Sequence, residues 1–303
     1  EIADGDWSSD VCSSDLWVAT ANSGLNRIEG TDITQFSTED GLPTDVLNTV
    51  IVDHDGTVWT GGRQTGICQM TDGGFECLTE EEGLAHNSIF SLYVDSDNRL
   101  WAGTLQGLSV LDDEQIRSYT SEEGLSGDLP TAITEGPDGS MWIGTFTSGI
   151  NRLRNGSITS YTQEGPLVSN QILALEFDHA GQLWIGTGGG LCRWKAGEIT
   201  CINADDGLFT SEIIQLNADD ARQLWLGSLG GIARIPLSTL NAVLSGRRDS
   251  IGKQEVYGYG DGLPSPETQG GIQPSTWERA NGDLWFATAG GVGFIDPSRF
   301  PKN

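Results

Sequence analysis

Residues 40–67 read DGLPTDVLNTVIVDHDGTVWTGGRQTGI. Two short β-prone runs, VLNTVIVD and TVWTGG, flank the turn formers DHDG, which is how two antiparallel strands joined by a tight turn are written. The chain continues GICQMT, TDGG and FECLT, adding two more strands and another turn. Each separator holds the Gly, Asp or Asn that a tight turn needs for positive φ. Residues 46–79 therefore read as a four-stranded antiparallel meander.

The same frame recurs along the chain. Trp17, Trp59, Trp101, Trp142, Trp184, Trp225 and Trp285 stand in LWVAT, VWTGG, LWAGT, MWIGT, LWIGT, LWLGS and LWFAT, at gaps of 42, 42, 41, 42, 41 and 60. A glycine anchor precedes the tryptophan (Gly41, Gly83, Gly124, Gly165, Gly207, Gly262), and SGL, TGI, QGL, SGI, GGL, GGI or GGV follows it. Four strands per unit at a period near 42 is the signature of a propeller blade. The fold expected is all-β, a β-propeller of seven four-stranded blades, with the first and last each short of a strand. Recurrence at one position in every unit makes the tryptophans packing between blades rather than ligand-stacking surfaces.

Residues 16–300 form the expected single propeller, and 301–303 the start of a linker to a further module. Residues 1–15 lack the period. The run DWSSDVCSSDL (Asp6–Leu16) back-translates into DNA similar to a sequencing adapter, and it has neither the basic front nor the apolar stretch of a secretory signal. It is set apart as a foreign leader, expected to be disordered. The formal charge of −27 becomes −22 without the leader's five acids. Such a balance opposes nucleic acid and anionic membrane, whose affinity comes from Lys and Arg against phosphate. No run approaches the length of a membrane-spanning segment.

The units DGLPTDVLNTVIVDHDGTVWTGGRQTGI, EGLAHNSIFSLYVDSDNRLWAGTLQGL and EGPLVSNQILALEFDHAGQLWIGTGGGL resemble the two-component regulator propeller repeat. The resemblance implies an extracytoplasmic, periplasmic sensor whose parent chain carries an immunoglobulin-like module, a transmembrane helix and a histidine kinase, response-regulator or diguanylate cyclase output. The partners it implies are a small-molecule or oligosaccharide ligand, a second propeller or the immunoglobulin-like module of the parent chain, and a homodimeric parent. The fragment itself is expected to be no enzyme and to need no cofactor.

Outside the leader's Cys12, the cysteines fall as Cys68 and Cys77, and Cys192 and Cys201, nine apart at the same place in two blades. Counting outward from turns at Asp72-Gly73 and Ala196-Gly197 sets each pair opposite across a hairpin, close enough for a disulfide. Four buried thiols are the alternative. Disulfides would place the domain in an oxidising compartment.

No nucleophile elbow, HExxH or phosphate loop is present. The DHDG and DSDN turns resemble parts of a calcium loop but run straight into strands and lack the distal Glu. No metal site is expected. Ligand contacts are sought instead among residues that break the repeat in the loops entering each inner strand and in the turns joining second to third strands. These are Arg63, Gln64, His86, Asn87, Gln106, Phe146, Asn170, Phe209, Glu212 and Gln269. Amides and an Arg can bond hydroxyls or a carboxylate, and rings can stack on a sugar face. Two other readings stand beside the sensor. A streptogramin-lyase-like enzyme would need His86 and a Glu to converge at the channel mouth, with magnesium, and a protein-binding scaffold would show apolar patches. The long sixth unit predicts a helix capped by Ser238, running to Leu244 and ended by Gly246, followed by the basic pair Arg247-Arg248.

Overall fold

The computed structural model describes residues 15–112, 115–278 and 282–297. Seven antiparallel sheets form the seven blades of a propeller; five have four strands, and the first and last have three. The fifth shows the plan, with an inner strand Ile172–Phe177, second strand Leu183–Thr187, third strand Gly190–Lys195 and outer strand Glu198–Ile202. The first blade consists of Leu16–Ala19, Leu25–Glu29 and Asp32–Phe36. The last consists of Thr276–Glu278, Leu284–Thr288 and Gly291–Ile295.

The repeated tryptophans are inter-blade packing. Trp142 is buried against Leu183 and Ile185 of the following blade, and Trp184 against Leu224 and Leu226 of the next. Trp285 meets Leu16 and Val18 of the first blade, so the ring closes by the same contact that builds it. In four blades the turn aspartate six residues earlier holds the indole. Asp53 Oδ2 accepts Trp59 Nε1–H at 2.8 Å, and Asp95, Asp178 and Asp219 do the same for Trp101, Trp184 and Trp225. Asp53 Oδ1 accepts the backbone N–H groups of Asp55 and Thr57, so this carboxylate is committed to its turn and tryptophan. The glycine two residues after each of five tryptophans permits close blade contact. A Cβ on Gly144 would lie 2.4 Å from Ile172 of the next blade.

Cys68 faces Cys77, and Cys192 faces Cys201, in register between third and outer strands. Both pairs are disulfides, each with Cα atoms 4.0 Å apart. In the sixth blade the helix Leu237–Leu244 buries Leu237, Leu240 and Val243 on the sheet. Ser238 is not its cap. Pro236 occupies that position without a side-chain cap bond, because burying Leu237 starts the helix earlier than the hydroxyl pattern predicts. Gly246, at φ 69°, ends it with its N–H on Val243 O. Arg247 and Arg248 turn back onto their own segment, to Ser245 Oγ and Ile251 O.

Asp15, the last residue of the expected leader, is 4% exposed and accepts Arg27 Nε–H of the first blade at 2.6 Å. The rest of the leader and residues 301–303 lie outside the described residues.

Candidate functional site

The loops entering the inner strands and the turns between second and third strands share one face, here the loop face. Gly66 N–H bonds Asn87 O, Leu105 N–H bonds Ser88 O, Phe146 N–H bonds Leu129 O and Gly149 N–H bonds Asn170 O. The hairpin turns at Asp53, Asp95, Asp178 and Asp219 follow the far ends of the inner strands, on the opposite turn face.

The ten residues sought in the sequence divide by what their atoms already do. Asn87 Oδ1 accepts Glu80 N–H at 2.8 Å and Asn170 Oδ1 accepts Gln163 N–H at 2.6 Å; Asp45 and Asp128 hold Thr38 and Ser121 N–H in the same way. Asn87 and Asn170 thus belong to a repeated scaffold position, whose period is hidden because Asn alternates with Asp. Phe209 packs on the core, and Glu212 is half-buried. His86 Nδ1 accepts Ser88 N–H at 2.9 Å, which leaves Nε2 as its outward atom. Arg63, Gln64 and Gln106 are exposed on their turns, and Phe146 is 39% exposed. Leu105 (42%), Leu229 (58%) and Val46 (38%), which sequence reasoning missed, extend the same face with apolar surface. The loop face is therefore amphiphilic, with side-chain amides and a guanidinium set among apolar groups.

Gln269 has a different role. It begins a segment that crosses the central channel, with its N–H on Ala287 O and its carbonyl on Gln215 Nε2. At the far side Gln273 O accepts Leu92 N–H and Thr49 Oγ1–H, while Gln273 Oε1 accepts Ile133 N–H at 2.6 Å. These partners lie on the inner strands of the second, third and fourth blades, whose free edges face the channel. Ser275 O then accepts Ala287 N–H, and the chain joins the last blade. Residues 269–275 are a plug that satisfies strand-edge donors which would otherwise be buried without partners. Its signal in the sequence is the 23-residue spacing from Gly262 to Trp285, where four other units have 18.

The plug roofs a cavity of about 200 Å³ on its turn-face side, walled by Leu173–Glu176, Leu216, Asn217 and Gln273–Glu278. Two carboxylates enter it. Burial, followed by the charges of Glu278 and Asp178, pushes Glu176 up to about 8, although the Ala218 N–H opposes this. Burial, followed by the charges of Asp220 and Asp219, pushes Glu278 up to about 7. Between the ordinary carboxylate range and these values the folded chain binds more protons than the unfolded chain. The stabilising contribution is thus complete at acid pH and is lost as pH rises through about 7 to 8. Glu176→Gln is expected to flatten the fall in melting temperature between pH 5 and pH 9. An unchanged pH profile in the variant would show that Glu176 titrates normally.

Among the described residues no group of three or more His, Cys, Asp or Glu could hold a metal, and no helix is long and apolar enough to cross a membrane.

The family model for the two-component regulator propeller matches residues 83–106, 124–147 and 166–189. No curated protein matches the chain. Among solved structures it is similar to the extracellular domain of a hybrid two-component system from B. thetaiotaomicron, at 20% identity and TM-score 0.79, covering 97% of this chain and 39% of that one. The chain thus spans about two fifths of that relative's length. Virginiamycin B lyase from Staphylococcus aureus is similar at 19% identity and TM-score 0.69, covering 95% of this chain and 93% of the enzyme. PorZ, a surface component of the type-IX secretion system of Porphyromonas gingivalis, is similar at 13% identity and TM-score 0.70, covering 95% of this chain and 46% of PorZ. At these identities the likenesses concern the fold.

Proposed function

We propose, for a chain built of two-component regulator propeller repeats, that it is the ligand-binding part of an extracytoplasmic receptor. The observation that carries this reading is the loop face, where Arg63, Gln64, Gln106 and Phe146 leave the repeat pattern and keep their side chains exposed above a plugged channel. Amides, a guanidinium and a ring suit an oligosaccharide, whose hydroxyls need in-plane donors and acceptors and whose ring faces stack on aromatics. Two disulfides suit a periplasmic location. In the parent protein a kinase or cyclase would lie beyond this chain, reached through an immunoglobulin-like module and dimer contacts. A ligand shifts such a receptor only by its differential affinity for two states.

The test is a panel of soluble oligosaccharides titrated against the chain, with Phe146→Ala and Gln106→Ala beside it. One glycan class is expected to bind without being consumed, and each substitution to weaken it about tenfold, the loss of roughly 1.4 kcal/mol of contact. Binding untouched by both substitutions would remove the loop face as its site. Turnover of a cyclic peptide lactone in the presence of magnesium would make the chain a lyase instead.

A further inference from the structure

The cavity beneath the plug lies apart from the loop face and takes no part in the receptor reading. Glu176 and Glu278 enter it from two inner strands, and Leu173 and Pro274 supply apolar surface on the same wall. Asn217, 8% exposed, lines the same wall, and its side-chain oxygen is buried with no hydrogen-bond partner. A buried amide left unpaired costs free energy that a bound donor would recover.

We propose that this cavity binds a small primary amine, its ammonium group held by Glu176, Glu278 and the Asn217 carbonyl, with its alkyl part against Leu173 and Pro274. An ammonium group has three donors and no acceptor, matching the three acceptor groups on the wall. The volume of about 200 Å³ lies below the range of drug-sized pockets, so the ligand is small. A divalent metal fits less well, because calcium takes six to eight oxygen ligands and the described residues offer no cluster of three ligating side chains.

Binding requires the carboxylates to be ionised. The charged neighbours of Glu176 are Glu278 and Asp178; those of Glu278 include Asp219, Asp220 and His179. Acids dominate both sets, so an incoming ammonium lowers repulsion among them, and its affinity rises as pH passes through about 7 to 8.

The experiment is calorimetric titration of the chain with n-butylammonium chloride at constant ionic strength, with n-butanol and calcium chloride as comparators. The expected result is saturable one-to-one binding of the amine, at least tenfold tighter at pH 9 than at pH 6, and no binding of the alcohol. Glu176→Gln and Glu278→Gln should each weaken it tenfold or more, while Phe146→Ala on the loop face leaves it unchanged. The Glu278 variant carries the test if Glu176→Gln fails to fold. Unchanged affinity in the folded glutamine variants, equal binding of the alcohol, or uptake of calcium in preference to the amine would overturn the proposal. So would the absence of any saturable heat at pH 9.

Discussion

Trp184→Ala is expected to destabilise the folded chain by about 3–5 kcal/mol, the usual cost of truncating a large buried aromatic side chain. Trp184 is fully buried and packs on Leu224 and Leu226 of the next blade. Its Nε1–H bonds Asp178 Oδ2 at 3.0 Å, an oxygen that also accepts Gln182 Nε2–H at 2.8 Å. Truncation therefore opens a cavity between two blades and removes one of the two donors to Asp178 Oδ2. Trp184→Phe keeps most of the packing and loses the bond, so it should cost less, about 1–3 kcal/mol. The midpoint of denaturant unfolding measures both. A Trp184→Ala protein within about 1 kcal/mol of the parent would mean that inter-blade packing does not depend on the repeated indole, against the usual range for such a loss.

The second large effect is expected from the cysteines. Replacing Cys192 and Cys201 together by serine should cost about 2–3 kcal/mol, the chain-entropy value for a loop closed over nine residues. The two residues face each other in a paired register, so the hairpin retains its backbone bonds and loses only the cross-link. Reduction of the parent protein should reproduce the shift, and the Cys68–Cys77 pair, closing a loop of equal length, should behave alike. An unfolding midpoint indifferent to both variants and to reductant would show that the cross-links add nothing to stability. It would also weaken the argument for an oxidising compartment.

The architecture was legible because it repeats. Every blade restates the same strand pattern, and the glycines two residues after five of the tryptophans mark where one sheet approaches the next. The cysteine pairing was readable too, since a two-residue turn determines which residues face each other. The candidate site was less so, because departure from the repeat identifies residues free of scaffold duty only when the scaffold tolerates a single residue type. Asn87 and Asn170 depart in letter but not in role, since Asp45 and Asp128 accept the same backbone N–H. Leu105 and Leu229 lie exposed in turns where apolar residues carry no pattern at all. The plug leaves only a spacing anomaly, because its partners lie about 140 to 220 residues away in sequence, as Gln273 to Ile133 and Thr49 shows. The cavity carboxylates needed three-dimensional placement: Glu176 and Glu278 meet only because the fifth and seventh blades face one channel.

The most direct test of the receptor reading is amide hydrogen exchange on the chain with and without the tightest-binding oligosaccharide of the panel. Slowed exchange is expected in the turns carrying Gln64, Gln106 and Phe146 and in the loop at His86, while the turns at Asp53, Asp95 and Asp178 on the opposite face remain unchanged. Protection confined to that opposite face, or spread evenly over the blades, would contradict a ligand seat on the loop face.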